Sequence, residues 1–181
     1  MRKRRILLIY KSTTGFTEKY AQMIAEETGC KLIKFKDAAA EQMSGFDTVI
    51  FGGRLHAGSI DGLKRMRKMI RKSGVKRVMI FATGAMPAKA EEEIDRMWRN
   101  NLSPAERDHI PHFYFPAGLC YERMPLLDRL MMKAVPIMLR RKKNKTAYDV
   151  EMERGIAHSY DISSGEYIKP LTELCVSMEE K

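Results

Sequence analysis

A chain of 181 residues that is 44% apolar and 31% charged is too apolar to be disordered and suits one domain with one core. Thirty-three Lys and Arg against 23 Asp and Glu leave a net charge of +10, which sets the chain apart from acidic soluble electron carriers. Such a charge favours anionic partners (phosphate groups, anionic lipid, an acidic protein or nucleic acid) without choosing among them. Cys30, Cys120 and Cys175 are far apart and show neither CxxC nor metal-ligand spacing, so a reducing cytoplasm is the expected location.

The start is basic, but the apolar run behind it, residues 6–10, is too short for a secretory segment and reads as a first strand, so no secretion is expected. A helix over 15–28 follows, then a short strand over 31–35 carrying Leu32, Ile33 and Phe35. A buried strand over 48–52, a helix over 60–73, a strand over 75–82, a helix over 87–100 with acidic residues in its first turn, and a strand over 113–117 continue the pattern. Residues 124–160 break this alternation and read as a helical insertion, bounded at about 119–160, before a last helix over 166–178. No repeat, low-complexity linker or second-domain boundary is visible, so the whole of 1–181 reads as one domain. About five strands in βα succession predict an α/β fold, a doubly wound parallel sheet with helices on both faces. Ligands of such sheets lie beyond the carboxyl ends of the strands, which directs attention to the strand-to-helix loops.

The first of those loops is Ser12, Thr13, Thr14, Gly15, Phe16 and Thr17, rich in hydroxyls and leading straight into a helix. Backbone N–H groups at a helix start carry positive partial charge, hydroxyls add donors, and a glycine admits close approach, which together suit a phosphate monoester. The GxxxxGK[ST] lysine and the GxGxxG glycines are both missing, which disfavours an adenine-nucleotide reading. A hydroxyl-rich N-cap with no ligand is the competing reading for any single residue of the loop.

This loop resembles the [ST]xTGxT phosphate loop of flavodoxins. The resemblance implies a five-stranded parallel sheet of order 2-1-3-4-5 and FMN as cofactor. It also implies that the ring is held by two later loops, matched here by Gly53, Arg54, Leu55, His56, Ala57 and Gly58 and by Thr83, Gly84, Ala85, Met86 and Pro87. Many flavodoxins stack an aromatic residue on the ring from each of these loops, where this chain offers His56 and Met86. Arg54 reads either as a cation stabilising an anionic reduced ring or as a solvent-facing arginine, and His56 either as a ring contact or as a packing histidine.

Within the insertion, Leu126, Leu127, Leu130, Met131, Val135, Ile137, Met138 and Leu139 form an apolar face beside five cations in residues 140–145. Charged residues interrupt the run too soon for a membrane span, and Pro136 is expected to kink or end the helix. Two readings stand: association of 124–145 with an anionic membrane surface or a lipophilic molecule, or packing on the domain core with a solvated basic loop behind it. Ala117-Gly118-Leu119, Tyr121 and the segment Leu127-Asp128-Arg129-Leu130-Met131-Met132-Lys133 resemble the insertion of the flavodoxin-domain group that includes the short, quinone-dependent protoporphyrinogen oxidase of bacteria. That resemblance implies a membrane-peripheral, cytoplasmic-face enzyme passing electrons from a tetrapyrrole precursor to quinone.

A further basic stretch, from Lys64 to Arg77, reads as a solvated helix face or as a dock for an acidic redox partner or membrane headgroups, and with no recognition motif beside it nucleic acid is not expected. No hydrolytic triad, HExxH or paired-carboxylate signature is present, so the flavin itself carries the chemistry. The leading expectation is an FMN-dependent oxidoreductase with a quinone acceptor; the alternatives are a one-electron carrier between protein partners and a scaffold that has lost FMN.

Overall fold

Continuous burial along the apolar runs sets the architecture. In the computed structural model, which describes residues 5–178, strands β1 (Ile6–Lys11), β2 (Lys31–Lys34), β3 (Thr48–His56), the two-residue β4 (Ser59–Ile60), β5 (Arg77–Gly84) and β6 (His112–Pro116) form one sheet. Its order is β2-β1-β3-β5-β6, all parallel, with β4 antiparallel on the end of β3. Five parallel strands in this order are the flavodoxin-like arrangement, in which the order reverses between β1 and β3. Residues 1–4, where most of the basic start falls, lie outside the described residues.

Because successive strand side chains point to opposite faces, each central strand feeds two cores. Leu7, Ile9, Val49, Phe51, Ile80 and Ala82 face one layer, with α2 (Ala40–Met43), α3 (Leu63–Ser73) and α4 (Glu91–Asn101) contributing Met43, Leu63, Met66, Met97 and Trp98. Leu8, Tyr10, Ile50, Met79, Phe81 and Phe115 face the other, packed by α1 (Phe16–Thr28) through Tyr20, Ala21 and Ile24. The last helix covers the same side through Leu171 and Cys175. Gly52 makes room for its cross-strand partner: an added Cβ would stand 2.0 Å from the Phe81 ring.

Several boundaries differ from the sequence expectation. The third strand does not stop at residue 52 but runs to His56, because Gly53 and Arg54 still pair with Ala82 and Thr83 while Leu55 and His56 pair with β4. That hairpin turns on Ala57 and Gly58, both with positive φ, and it delays the following helix to Leu63. The helix expected from 87 begins at Glu91, and a separate helix α5 (Pro104–His109), capped by Ser103, precedes β6.

The insertion leaves and re-enters through a second, two-stranded sheet, in which β7 (Gly118–Leu119) pairs antiparallel with β8 (Tyr160–Asp161). Between them lie α6 (Leu126–Arg141) and α7 (Ala147–Gly155), and a 3-10 turn at Gly165–Ile168 then leads into α8 (Lys169–Ser177). Helix α6 runs through Pro136 instead of ending there. Nor does it pack on the core, since it contains no buried residue and Leu127, Leu126 and Met138 are 75%, 71% and 68% exposed. Its basic end is partly neutralised by α7: Lys142 bonds Asp149 at 2.5 Å, and Arg140 and Lys145 pair with Glu153. Among the described residues no helix is long and apolar enough to cross a membrane.

Candidate functional site

The hydroxyl-rich loop joins β1 to α1 at the sheet's switch point, and its conformation follows from one glycine. Gly15 caps α1 with φ 98°, a left-handed conformation that favours glycine, and its N–H donates to Ser12 Oγ at 3.2 Å. No side chain caps the helix, so the first-turn N–H groups that every α-helix leaves without intrahelical partners have no side-chain acceptor at the cap. Thr13 is exposed, and Thr14, Gly15 and Phe16 front a cavity of about 400 Å³. Thr17 points the other way. It is 1% exposed, and its hydroxyl is 2.8 Å from that of Thr83, so it ties the loop to β5 inside the protein.

The two later loops meet at the ends of β3 and β5, where Arg54 pairs with Thr83 and a Cβ on Gly84 would lie 3.4 Å from Leu55 Cβ. Arg54 is not solvent-facing. Its Nη1 donates to Asp128 Oδ2 at 2.8 Å and its Nε lies 3.6 Å from Asp61, which also holds Lys11 at 2.6 Å. His56 Nε2 sits 3.0 Å from the other oxygen of Asp128. Hydrogen bonding from Arg54, reinforced by the Arg54 charge and by His56, holds the Asp128 carboxyl below its ordinary range. Arg54 and His56 are therefore clamped by a carboxylate at the start of α6, and the Arg54 charge is compensated.

Residues 85–86 are fixed by two tyrosines. Tyr114 Oη accepts from Met86 N at 2.9 Å and donates to Met86 O at 3.1 Å, while Tyr160 donates to Ala85 O at 3.0 Å. The Met86 side chain is buried in the core, so the aromatic groups near this loop are tyrosines from outside it. Tyr160 also lines the cavity in front of Gly15 and a smaller one of about 160 Å³ beside Ala85 and Pro87.

The structure thus brings Thr14, Gly15 and Phe16 against insertion residues Arg123 and Tyr160, and brings Arg54 and His56 against Asp128. That Tyr160 and Arg123 line one cavity with Gly15 was not legible in the sequence, because both lie more than a hundred positions beyond it. The phosphate end fits FMN: a glycine cradle, helix N–H groups and a hydroxyl face one cavity. Among the described residues no cluster of His, Cys, Asp and Glu could hold a metal ion.

No curated protein sequence matches the chain. Among solved structures, a flavodoxin from the domain Archaea is 12% identical with a TM-score of 0.42, covering 85% of this chain and 99% of its own. The Trp repressor binding protein from Bacillus subtilis is 14% identical with a TM-score of 0.43, covering 77% and 100%. A flavoprotein in complex with FMN from Lactobacillus acidophilus is 16% identical with a TM-score of 0.40, covering 61% and 91%. These likenesses are too weak to add to the topology described above. The sequence of residues 7–147, however, matches the family model of the flavodoxin domain, and the chain belongs to that family.

Proposed function

We propose that the chain is an FMN-dependent oxidoreductase of the protoporphyrinogen-oxidase-like type with a quinone as electron acceptor. Binding falls to Thr14, Gly15 and the first-turn N–H groups of α1, which take the phosphate, and to the adjoining ends of β3 and β5, which take the ring. When bound, FMN supplies the transfer of hydrogen or single electrons from a donor to the quinone. Asp128 orients Arg54 and His56, and Tyr114 and Tyr160 fix the backbone of residues 85–86, so the ring end of the site is organised in advance.

The observation that carries the quinone reading is the exposed apolar face of α6, anchored through Asp128 directly to the second flavin loop. An apolar helix with Arg141 and Lys143 at its end suits the surface of an anionic bilayer, where a lipophilic acceptor is found. A one-electron carrier is the second reading, favoured by the exposed Lys64, Arg65, Lys68, Arg71 and Lys72 of α3, which suit an acidic protein partner. Anaerobic photoreduction followed by addition of quinone, soluble or in anionic vesicles, separates the two. Fast, repeated reoxidation that vesicles enhance supports the oxidoreductase. Sluggish quinone reaction with an accumulated one-electron state overturns it in favour of the carrier.

A further inference from the structure

We infer that Arg123, carried by the insertion, is a specificity-determining ligand for the phosphate group of the cofactor and makes the site select a flavin mononucleotide over the unphosphorylated flavin. This inference rests on the FMN reading above and adds a residue that lies 106 positions beyond the end of the phosphate loop at Thr17, outside its motif. Its basis is position and charge. An ideal Cβ built on Gly15 would stand 2.8 Å from Arg123 Nη1, so the guanidinium lies directly over the glycine that caps α1.

The charges around the cavity leave Arg123 as its unbalanced group. Lys19 Nζ and Asp161 Oδ2 pair at 2.9 Å, and Asp161 Oδ1 accepts from Ser163 N at 2.8 Å, so those two charges cancel. Glu122, the neighbouring carboxylate, is engaged by the Ser159 hydroxyl at 2.8 Å and the Cys120 thiol at 3.4 Å. Among the described residues nothing hydrogen-bonds or ion-pairs with the Arg123 guanidinium. Glu122 lines a separate cavity, so the charged residues that line this one, Lys19, Asp161 and Arg123, keep one net positive charge beside a helix start that is itself electropositive. A guanidinium presents a planar fork of donors matched to phosphate oxygens, and a phosphate monoester carries the dianionic charge that both features lack.

The backbone that carries Arg123 is itself held. Residues Tyr121–Arg123 form a 3-10 turn, in which Tyr121 N donates to Ser159 Oγ at 3.0 Å and the Tyr121 hydroxyl donates to the Ile156 carbonyl. Phosphate binding is thereby coupled to the docking of the insertion on the domain.

The test is a fluorescence titration of the 181-residue protein with FMN and, separately, with riboflavin, for wild type, Arg123→Gln and Arg123→Lys. The expected result is an FMN affinity weakened about tenfold or more in Arg123→Gln, restored in part by Arg123→Lys. Riboflavin affinity is expected to stay at the wild-type value in all three, which also shows that the variants fold. The salt dependence of FMN binding should be shallower in Arg123→Gln. FMN binding by Arg123→Gln within about twofold of wild type overturns the inference while leaving the cofactor reading intact. Wild-type protein that binds neither flavin sinks the cofactor reading and the inference with it.

Discussion

Asp128 and Arg54 lie 74 positions apart in the chain and meet at 2.8 Å, joining the start of the insertion helix to the end of β3. Asp128→Asn keeps the shape and removes the charge. The expected cost is about 1–2 kcal/mol of stability, at the low end for hydrogen bonds to charged groups because both partners retain some solvent contact. Amide exchange across residues 126–141 should quicken, and a change confined to other segments would show that Asp128 does not anchor α6.

The same pair sets a pH dependence. A carboxyl whose folded-state pKa is depressed contributes stability that is full above its unfolded value and is lost as pH falls through the lower folded value. Asp128 and Glu106, the latter held down first by its hydrogen bond from Arg67, both act in this direction. Melting temperature should therefore fall as the medium is acidified below the ordinary carboxylate range, and Asp128→Asn should flatten that acid limb. An identical acid limb in the variant would contradict the assignment.

Thr14 and Thr17 belong to one loop but to different tasks. Thr14→Ala should weaken FMN binding by about 1–3 kcal/mol with little change in thermal stability. Thr17→Val should do the reverse, leaving the Thr83 hydroxyl without its partner at a cost of about 1–3 kcal/mol in unfolding. Denaturant melts and FMN titrations on both variants check the division, and a loss of FMN affinity in Thr17→Val equal to that in Thr14→Ala would erase it.

Gly118 closes the neck of the insertion with φ 143°, and a Cβ there would meet the Tyr160 carbonyl oxygen at 2.0 Å. Gly118→Ala should open the β7 and β8 pair, displace Tyr160 from Ala85 and raise protease cleavage within residues 120–159, while the main sheet persists. Uniform loss of structure by circular dichroism would instead make the insertion part of the core folding unit.

Replacing Leu127, Leu130 and Met138 with serine removes exposed apolar surface and no core contact. Co-sedimentation with anionic vesicles should drop several-fold, at roughly 25 cal/mol per Å² of apolar area no longer buried, with melting temperature unchanged. Undiminished sedimentation would leave the basic residues alone as the attraction.

Much of this fold was readable because short continuous apolar runs such as residues 6–10 and 48–52, bounded by hydroxyl- or glycine-rich loops and alternating with helix-length segments, suit parallel strands buried on both faces. The position of the candidate phosphate loop, between the first strand and a helix, was readable for a similar reason, since Gly15 and its hydroxyl neighbours occur together before a helix. What escaped depended on contacts far apart in sequence. The extension of β3 to His56 needs β4 as a partner, and a hairpin turned on Ala57 carries no common turn signature. The role of Arg54 changed because Asp61 and Asp128 neutralise it, and the second was visible only as part of a family-like segment. Arg123 gives no local signal at all, for its meaning comes from standing over Gly15.

A titration of the 181-residue chain with FMN, followed by visible absorbance and flavin fluorescence, tests the central claim most directly. Binding of one equivalent, with the ring bands perturbed and the affinity lowered by Thr14→Ala, is the predicted result. No bound FMN at saturating concentration, with the protein folded by circular dichroism, would contradict it.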